Sequence, residues 1–376
     1  NAPNTYASDV KQTKDGGYIV SGTTAGVFGN GNGFLMKIDS LGTPTWIKEY
    51  NGLKNCYRVF TTPEKGFLTI GYGSVPSTSI TEMDSLGNVI WNKKIDSLNL
   101  FILGKSCFRR ANKEIILAGC KDYGNRHTEV IKLDSVGNII WSKTYDAGGN
   151  DYVMGVYEFN GLIYLIGNSG PNYDGFILVI DQAGNFIRCK RLNSYGSSVY
   201  NGMYFDKNQL YFQTVVQCNT GTLCLAILKT DSMLNLHWIK TIASDPAAWG
   251  EVFGMLKTED NNIIMNIEPE CYWNPSTTSY SRGGLMKIDT SANIIWTVLN
   301  DTISNPFFPI SFIRTSDHGY LSVGGTWKLQ SVSHINIVKT NSTGISSCSN
   351  QNVSCLPCPL AVSYSSAIAP LLTSNP

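Results

Sequence analysis

The feature that most restricts what this chain can become is a motif that returns seven times. Asp, two residues, Gly, three residues and Trp stand in that order at Asp39-Gly42-Trp46, Asp84-Gly87-Trp91 and Asp134-Gly137-Trp141. Four looser copies follow: Asp181-Gly184 with Arg188 at the Trp position, Asp231-Trp238 with Leu234 for Gly, Asp289-Trp296 with Ala292 there, and Asn341-Gly344 ending at Cys348. The anchors fall at 39, 84, 134, 181, 231, 289 and 341, at intervals of 45, 50, 47, 50, 58 and 52 residues. A period of that size holds four short strands with their turns, a unit that buries its apolar faces only against its neighbours. The expectation is an all-β chain: a seven-bladed β-propeller of four-stranded antiparallel blades over residues 1–345, then an uncharged tail over 346–376.

The strands of a unit can be read directly. Val10 to Lys14, the turn Asp15-Gly16-Gly17 and Tyr18 to Gly22 predict an inner hairpin, strands A and B. Phe34 to Ile38, the turn Ser40-Leu41-Gly42 and Thr45 to Tyr50 predict an outer one, strands C and D. No window places apolar residues at i, i+3, i+4 and i+7 over three turns, so helices are not expected. Trp46, Trp91, Trp141, Trp238 and Trp296 recur at one position, and a ring that follows the symmetry serves the symmetry. Their expected role is structural, buried against the neighbouring blade, where truncation of such a ring costs roughly 3–5 kcal/mol.

With an aliphatic residue before its Asp, this motif resembles the tryptophan-docking repeat of the PQQ-like propeller superfamily. The string Lys11-Gln12-Thr13-Lys14-Asp15-Gly16-Gly17-Tyr18-Ile19-Val20-Ser21-Gly22, followed by Met36-Lys37-Ile38-Asp39-Ser40-Leu41-Gly42, is similar to propeller repeats of secreted and surface proteins of the Bacteroidota. That resemblance implies a location outside the cell or on its outer surface, and cargo of the type IX secretion machinery. It is specific for fold and lineage and carries little about activity. The quinone-binding relatives have eight blades, a calcium ion and usually adjacent cysteines. Seven units without adjacent cysteines give the expectation of no cofactor and no metal.

Composition removes several functions. Lys and Arg number 29 against 28 Asp and Glu, a net charge of +1, without the concentrated positive patch that nucleic acid or an anionic membrane surface requires. No run of about 18 apolar residues predicts a membrane span. The ten cysteines do not make a zinc site: Cys355-Leu356-Pro357-Cys358 stands alone, and the chain has only four His. Cys218 and Cys224 flank Asn219-Thr220-Gly221-Thr222 and suit a disulfide across a hairpin in an oxidising compartment. H-E-x-x-H, G-x-S-x-G and P-loop motifs are missing, and Gly29-Asn30-Gly31-Asn32-Gly33 precedes a strand, so it reads as a loop rather than a phosphate cradle. No catalytic residue is assigned.

In a four-stranded blade the D/A and B/C connections leave one end and the A/B and C/D turns the other. The first end collects the long insertions with Trp249, Tyr272, Trp273, Tyr280 and Trp327, and also Tyr123 and His127. Exposed rings mark a contact surface for a glycan or a protein, so the leading reading is a secreted, non-enzymatic binding or display module for adhesion or protein binding. The alternative is a carbohydrate-active enzyme using Glu268 and Glu270 of the sixth unit. Asp followed by Ser or Thr and then an aliphatic residue or Met resembles an O-glycosylation acceptor of exported Bacteroidota proteins. It marks Ser40, Ser85, Ser97, Ser135, Ser232 and Thr302.

Two ends are left open. Asn1 aligns with Tyr50, the end of a strand D, so the seventh blade is expected to complete itself either with residues 345–352 or with a strand from upstream. After Lys339 no charged residue occurs, which suits a linker or the opening of a further domain.

Overall fold

The computed structural model describes residues 5–24, 31–50, 52–72, 77–95, 107–121, 126–193, 198–217, 223–243, 254–272, 280–299, 307–325, 334–346, 351–352, 363–366 and 373–374. These residues are all-β, and the fold is a seven-bladed β-propeller built from antiparallel sheets. Among them no helix is long and apolar enough to cross a membrane.

Blade 1 comprises β1 (Tyr6–Gln12), β2 (Tyr18–Thr23), β3 (Gly33–Ile38) and β4 (Pro44–Tyr50). Blade 2 is β5 (Asn55–Thr61), β6 (Phe67–Tyr72), β7 (Thr78–Met83) and β8 (Val89–Ile95). Blade 3 is β9 (Cys107–Arg109), β10 (Ile115–Lys121), β11 (His127–Leu133) and β12 (Ile139–Tyr145). Blade 4 is β13 (Tyr152–Phe159), β14 (Leu162–Ser169), β15 (Asp174–Ile180) and β16 (Phe186–Asn193). Blade 5 is β17 (Ser198–Asp206), β18 (Gln209–Gln217), β19 (Leu223–Asp231) and β20 (Leu236–Ala243). Blade 6 is β21 (Met255–Lys257), β22 (Ile263–Tyr272), β23 (Tyr280–Ile288) and β24 (Ile294–Leu299). Blade 7 contributes β25 (Phe308–Arg314), β26 (Tyr320–Gly325) and β27 (Ile335–Thr340). In the tail, β28 (Gln351–Asn352), β29 (Ser363–Ser366) and β30 (Thr373–Ser374) add to the outer edges of β24, β16 and β12. Residues 351–352 therefore do not supply the fourth strand of blade 7.

Within a blade, burial follows strand order. Strands β2 and β3 are buried at every position, whereas β4 alternates between exposed and half-buried. The middle strands lie between two layers and the outer strand has only one neighbour, so its sequence, Pro-Thr-Trp-Ile-Lys-Glu-Tyr, carries the polar face.

The chain divides into two compact units, Asn1–Leu98 with Asn266–Lys287 and Ile295–Val353, and Asn99–Met265 with Ile288–Ile294 and Ser354–Pro376. In the first, apolar residues of blades 7 and 1 (Leu321 and Val323 with Val10, Val20 and Phe34) form one cluster. Blades 1 and 2 share another, Ile19 and Leu35 with Val59, Phe67 and Met83. The second unit repeats the principle between blades 3 and 4 and between blades 4 and 5. The cores thus lie between blades, as the inability of one sheet to cover itself requires.

The motif explains how neighbours are fastened. In each C/D turn the Asp Oδ1 accepts hydrogen bonds from two backbone amides, as Asp84 does from Leu86 (2.9 Å) and Asn88 (2.8 Å). Asp39, Asp134, Asp181, Asp231 and Asp289 do the same, and Asn341 substitutes in blade 7. The third residue after the Asp has positive φ, which glycine adopts freely; Leu234 (φ 63°) and Ala292 (φ 62°) take it without that freedom. The ring of Trp46 lies over Gly87, that of Trp141 over Gly184 and that of Trp296 over Gly344, each on the turn of the following blade. Trp46, Trp91, Trp141, Trp238 and Trp296 are all half-buried, not buried as the repeat suggested, because strand D is the outermost and one face of each ring meets solvent. Arg188 replaces the ring in blade 4: its Nη1 donates to Ser232 O at 3.1 Å, the carbonyl equivalent to Gln182 O, which accepts from Trp141 Nε1 at 3.3 Å.

Candidate functional site

The two ends of the sheets differ in how their connections vary. Every C/D turn in blades 1–6 spans four or five residues, and the A/B turns span five or two. At the other end the gaps run from four residues (Tyr50 to Asn55) to eleven (Ile95 to Cys107, and Ala243 to Met255). Constant turns hold the scaffold, and variable loops at the opposite end have room for function.

The part of that end described in most detail lies where blade 3 meets blade 4. The segment from Tyr145 to Tyr152 joins strand D to the next strand A, and its fold is set by two aspartates. Asp146 Oδ1 accepts from the amides of Gly148 (2.8 Å) and Gly149 (3.1 Å). Asp151, fully buried, receives Ala147 N at 2.9 Å and Thr128 N and Oγ1 at 3.3 Å on Oδ2. Arg191 rises beside this loop from β16 and pairs with Asp174 at 3.3 Å. Its guanidinium lies where a side chain at residue 148 would project, and the φ of 117° at Gly148 is a backbone conformation that glycine alone adopts freely.

Three groups converge beside the loop. One ligand atom each of His127, Asp146 and Asp151 falls within 4.8 Å of the others, and His127 Nδ1 lies 3.8 Å from Asp146 Oδ1. Burial raises the carboxyl of Asp151 to about 6, and the nearby charge of Asp146 adds to the rise against the opposing amide bonds. The donor set of one imidazole and two carboxylates suits zinc-like ions.

Next to them is an aromatic surface. The guanidinium of Arg126 lies 4.6 Å from the centroid of Tyr152, whose ring is 5.8 Å from that of Tyr173. Tyr173 is 52% exposed and holds a left-handed backbone (φ 54°) in the short loop between β14 and β15. Rings with one open face beside a cation and acids can stack on a sugar or clasp a peptide side chain.

Among the residues expected at this end, His127 stands in the cluster. Tyr123, Trp249, Trp273 and Trp327 lie outside the described residues. Tyr272 ends β22, on which Glu268 and Glu270 also fall, and Tyr280 begins β23, but the side chains of all four are outside the description. Tyr152, Tyr173, Arg126, Asp146 and Asp151 were not singled out by the sequence. A signal was present: Asn150-Asp151-Tyr152 occupies the D/A connection and Tyr173 the B/C connection, the positions that direct side chains to one end.

Ser40 and Ser85 are exposed in their turns, Ser135 and Ser232 half-buried, and Ser97 and Thr302 lie outside the described residues. Cys56, Cys107, Cys120 and Cys189 are buried free thiols, and Cys224 is disulfide-bonded. Cys218, its expected partner, lies outside the described residues.

No protein-family model and no curated protein sequence matches this chain. Solved structures do. The WD40 domain of Pan2 from Neurospora crassa superposes with a TM-score of 0.51 at 11% identity, over 85% of this chain and 86% of that one. A Synechocystis apocarotenoid oxygenase mutant superposes with a TM-score of 0.54 at 10% identity, over 96% of this chain and 95% of that one. A Bacteroides caccae protein of unknown function aligns at 16% identity over 66% of this chain and 85% of that one, with a TM-score of 0.37. At these identities the first two likenesses establish the propeller fold and nothing finer, a fold that suits binding and scaffolding roles and hosts enzymes as well.

Proposed function

We propose that this protein is a binding or display module, exported to the outer surface of the cell or beyond, that engages a glycan or protein partner through the loop end of its blades without turning it over. The observation that carries the reading is the open aromatic and charged patch of Arg126, Tyr152 and Tyr173 beside His127 and Asp146, set where connection lengths vary while the opposite end keeps uniform turns. The disulfide at Cys224 favours an oxidising compartment, in keeping with export as type IX cargo. The exposed turn serines, Ser40 and Ser85 first, are the proposed O-glycan acceptors. Intact-mass measurement of native material checks this, and an unmodified mass removes it.

Glycan-array screening and affinity capture with the purified chain test the main reading. Binding is expected to fall at least tenfold in a Tyr173→Ala, Arg126→Ala double variant that melts like the parent. Release of product from any bound glycan, lost in Glu268→Gln or Glu270→Gln, would instead establish the carbohydrate-active enzyme.

A further inference from the structure

One joint of the propeller carries side chains that the repeat does not ask for. At the loop end β11 starts at His127, and the pairing of Thr128 with Tyr145 sets His127 across from Asp146, the residue that follows β12. Asp151 closes the same D/A connection one residue before β13. The joint of blades 1 and 2 is built without such groups. There the amide of Gly33, equivalent to Thr128 N, donates to the backbone carbonyl of Leu53, and Asn32 and Asn51 stand at the positions of His127 and Asp146. The imidazole and the two carboxylates are therefore additions to the scaffold.

The backbone on both sides of His127 is clamped to that connection. Arg126 N donates to Asn150 Oδ1 (3.1 Å), Asp151 N donates to Arg126 O (2.9 Å), and Thr128 gives both its amide and its hydroxyl to Asp151 Oδ2 (3.3 Å each). With Ala147 N at 2.9 Å, three donors occupy Oδ2 and fix the carboxylate. The second oxygen of this fully buried side chain, Oδ1, has no hydrogen-bond partner among the described residues, although the Ser169 hydroxyl stands beside the carboxyl. Nδ1 of His127 is a buried atom without a partner as well, and at 3.8 Å Asp146 Oδ1 is too far away to be one. Buried polar atoms in native folds are rarely left so. Here two of them, with the carboxylate of Asp146, offer one ligand atom each within 4.8 Å of one another.

We propose that His127, Asp146 and Asp151 form a binding site for one divalent cation of the zinc class, held by the three side chains with water completing its shell. The imidazole decides the class: calcium and magnesium take oxygen ligands, whereas zinc and its neighbours combine nitrogen with carboxylate. Zinc bonds of about 2 Å draw the donors closer together than they stand. Asp151 is fixed, so the half-buried side chains of His127 and Asp146 close on it. The cation then ties the start of β11 to the connection that leads into Tyr152. The site goes beyond the binding role proposed above and stands without it, since it rests on donor atoms and on no ligand of the aromatic patch.

The intact 376-residue chain, stripped with a chelator, is titrated with Zn²⁺ alone against a chromophoric competitor, and with Co²⁺ followed by its absorption spectrum. One ion per chain is expected at micromolar Kd or tighter, with the visible bands of four- or five-coordinate cobalt and no thiolate charge-transfer band. Asp146→Asn keeps an acceptor for the amides of Gly148 and Gly149, and His127→Ala leaves both backbone clamps in place. Each is expected to weaken binding at least tenfold in a protein that still melts cooperatively. Replacing Cys355 and Cys358 together by Ser is expected to leave the affinity unchanged, and Ca²⁺ is expected not to compete. No saturation up to millimolar Zn²⁺ overturns the proposal, as does parental affinity in both single variants. A sulfur signature on cobalt, or loss of binding with the cysteine pair, would give the ion to those thiols instead, and equal competition by Ca²⁺ would remove the imidazole from the site.

Discussion

Where blade 1 meets blade 2, a buried carboxylate lies between the inner strands and an indole covers the outer turn; where blade 4 meets blade 5, two phenyl rings and a guanidinium stand in those places. The β-bulges of β1, β5 and β25 bring Asp9, Arg58 and Ser311 to the same register position in blades 1, 2 and 7. Asp9, fully buried, accepts from Ser311 Oγ (2.8 Å) and from Val59 N (3.1 Å), and pairs with Lys11 (3.0 Å) and Arg58 (3.3 Å). In blade 4 the corresponding bulge carries Gly155, and the inner strands of blades 4 and 5 meet through Phe159 and Phe205, stacked 4.7 Å apart. At the outer turn, Trp46 over Gly87 corresponds to Arg188 on Ser232. The repeat therefore conserves the location and geometry of a joint, and the chemistry that fills it can be exchanged.

The largest expected effect separates the two inner joints. Burial alone would raise the Asp9 carboxyl, but the charges of Arg58 and Lys11 outweigh it and hold the group below its ordinary range. Asp9→Asn leaves two cations facing each other without their counter-ion, and a loss of about 3–5 kcal/mol is expected in denaturant unfolding. Because the folded value lies below the unfolded one, this stability is fully present above about pH 4 and fades as pH falls through the folded value. The variant should lose that acid dependence. A parent and a variant with the same unfolding midpoint across the acid range would dissolve the distinction between a charged and an apolar joint.

A smaller effect separates the outer joints. Trp46→Ala removes a half-buried ring together with its contact on Gly87, at a cost of about 2 kcal/mol, roughly half that of a buried ring. Arg188→Ala removes the contacts of its Nη1 with Ser232 O and Met233 Sδ, a loss worth about 1 kcal/mol because Ser232 O keeps the Tyr164 hydroxyl. Thermal melts of the two variants rank them, and equal shifts would mean that the apolar cover of the indole contributes no more than the polar contacts of Arg188.

Particular residues show why some of this was legible in sequence. The Asp-to-Trp spacing encodes a turn closed by local hydrogen bonds, so its recurrence gave the seven blades and the strand order within them. Trp46 and its equivalents were placed in the right joint but with too much burial, since a linear motif does not say that strand D has solvent on one side. Asp9 and Arg58 lie 49 residues apart, and the bulges that align them leave no pattern in composition. The same holds for Arg126, Tyr152 and Tyr173, which meet only because a D/A connection of one blade and a B/C connection of the next fold to one end. Local order is written in neighbouring residues; a site assembled from several loops is not.

The smallest effect concerns the turn itself and has the opposite sign. Six of the seven C/D turns keep either glycine or, in blade 5, a Leu234 whose side chain is fully buried and so gains from packing what its backbone loses. Ala292 has no such compensation: it holds φ of 62°, a left-handed conformation that costs a residue with a β-carbon about 1 kcal/mol, and a methyl group buries little. Ala292→Gly should therefore stabilise the chain, by up to about 0.5 kcal/mol once the added freedom of the unfolded chain is subtracted. Leu234→Gly should destabilise it, because relief at the backbone is smaller than the loss of a buried leucine, about 2–5 kcal/mol even for truncation to Ala. Opposite signs in paired unfolding curves would show that the third residue of the turn is chosen for its backbone in one joint and for its side chain in the other. Stabilisation by both would place the choice in the backbone alone, and destabilisation by both would place it in the side chain.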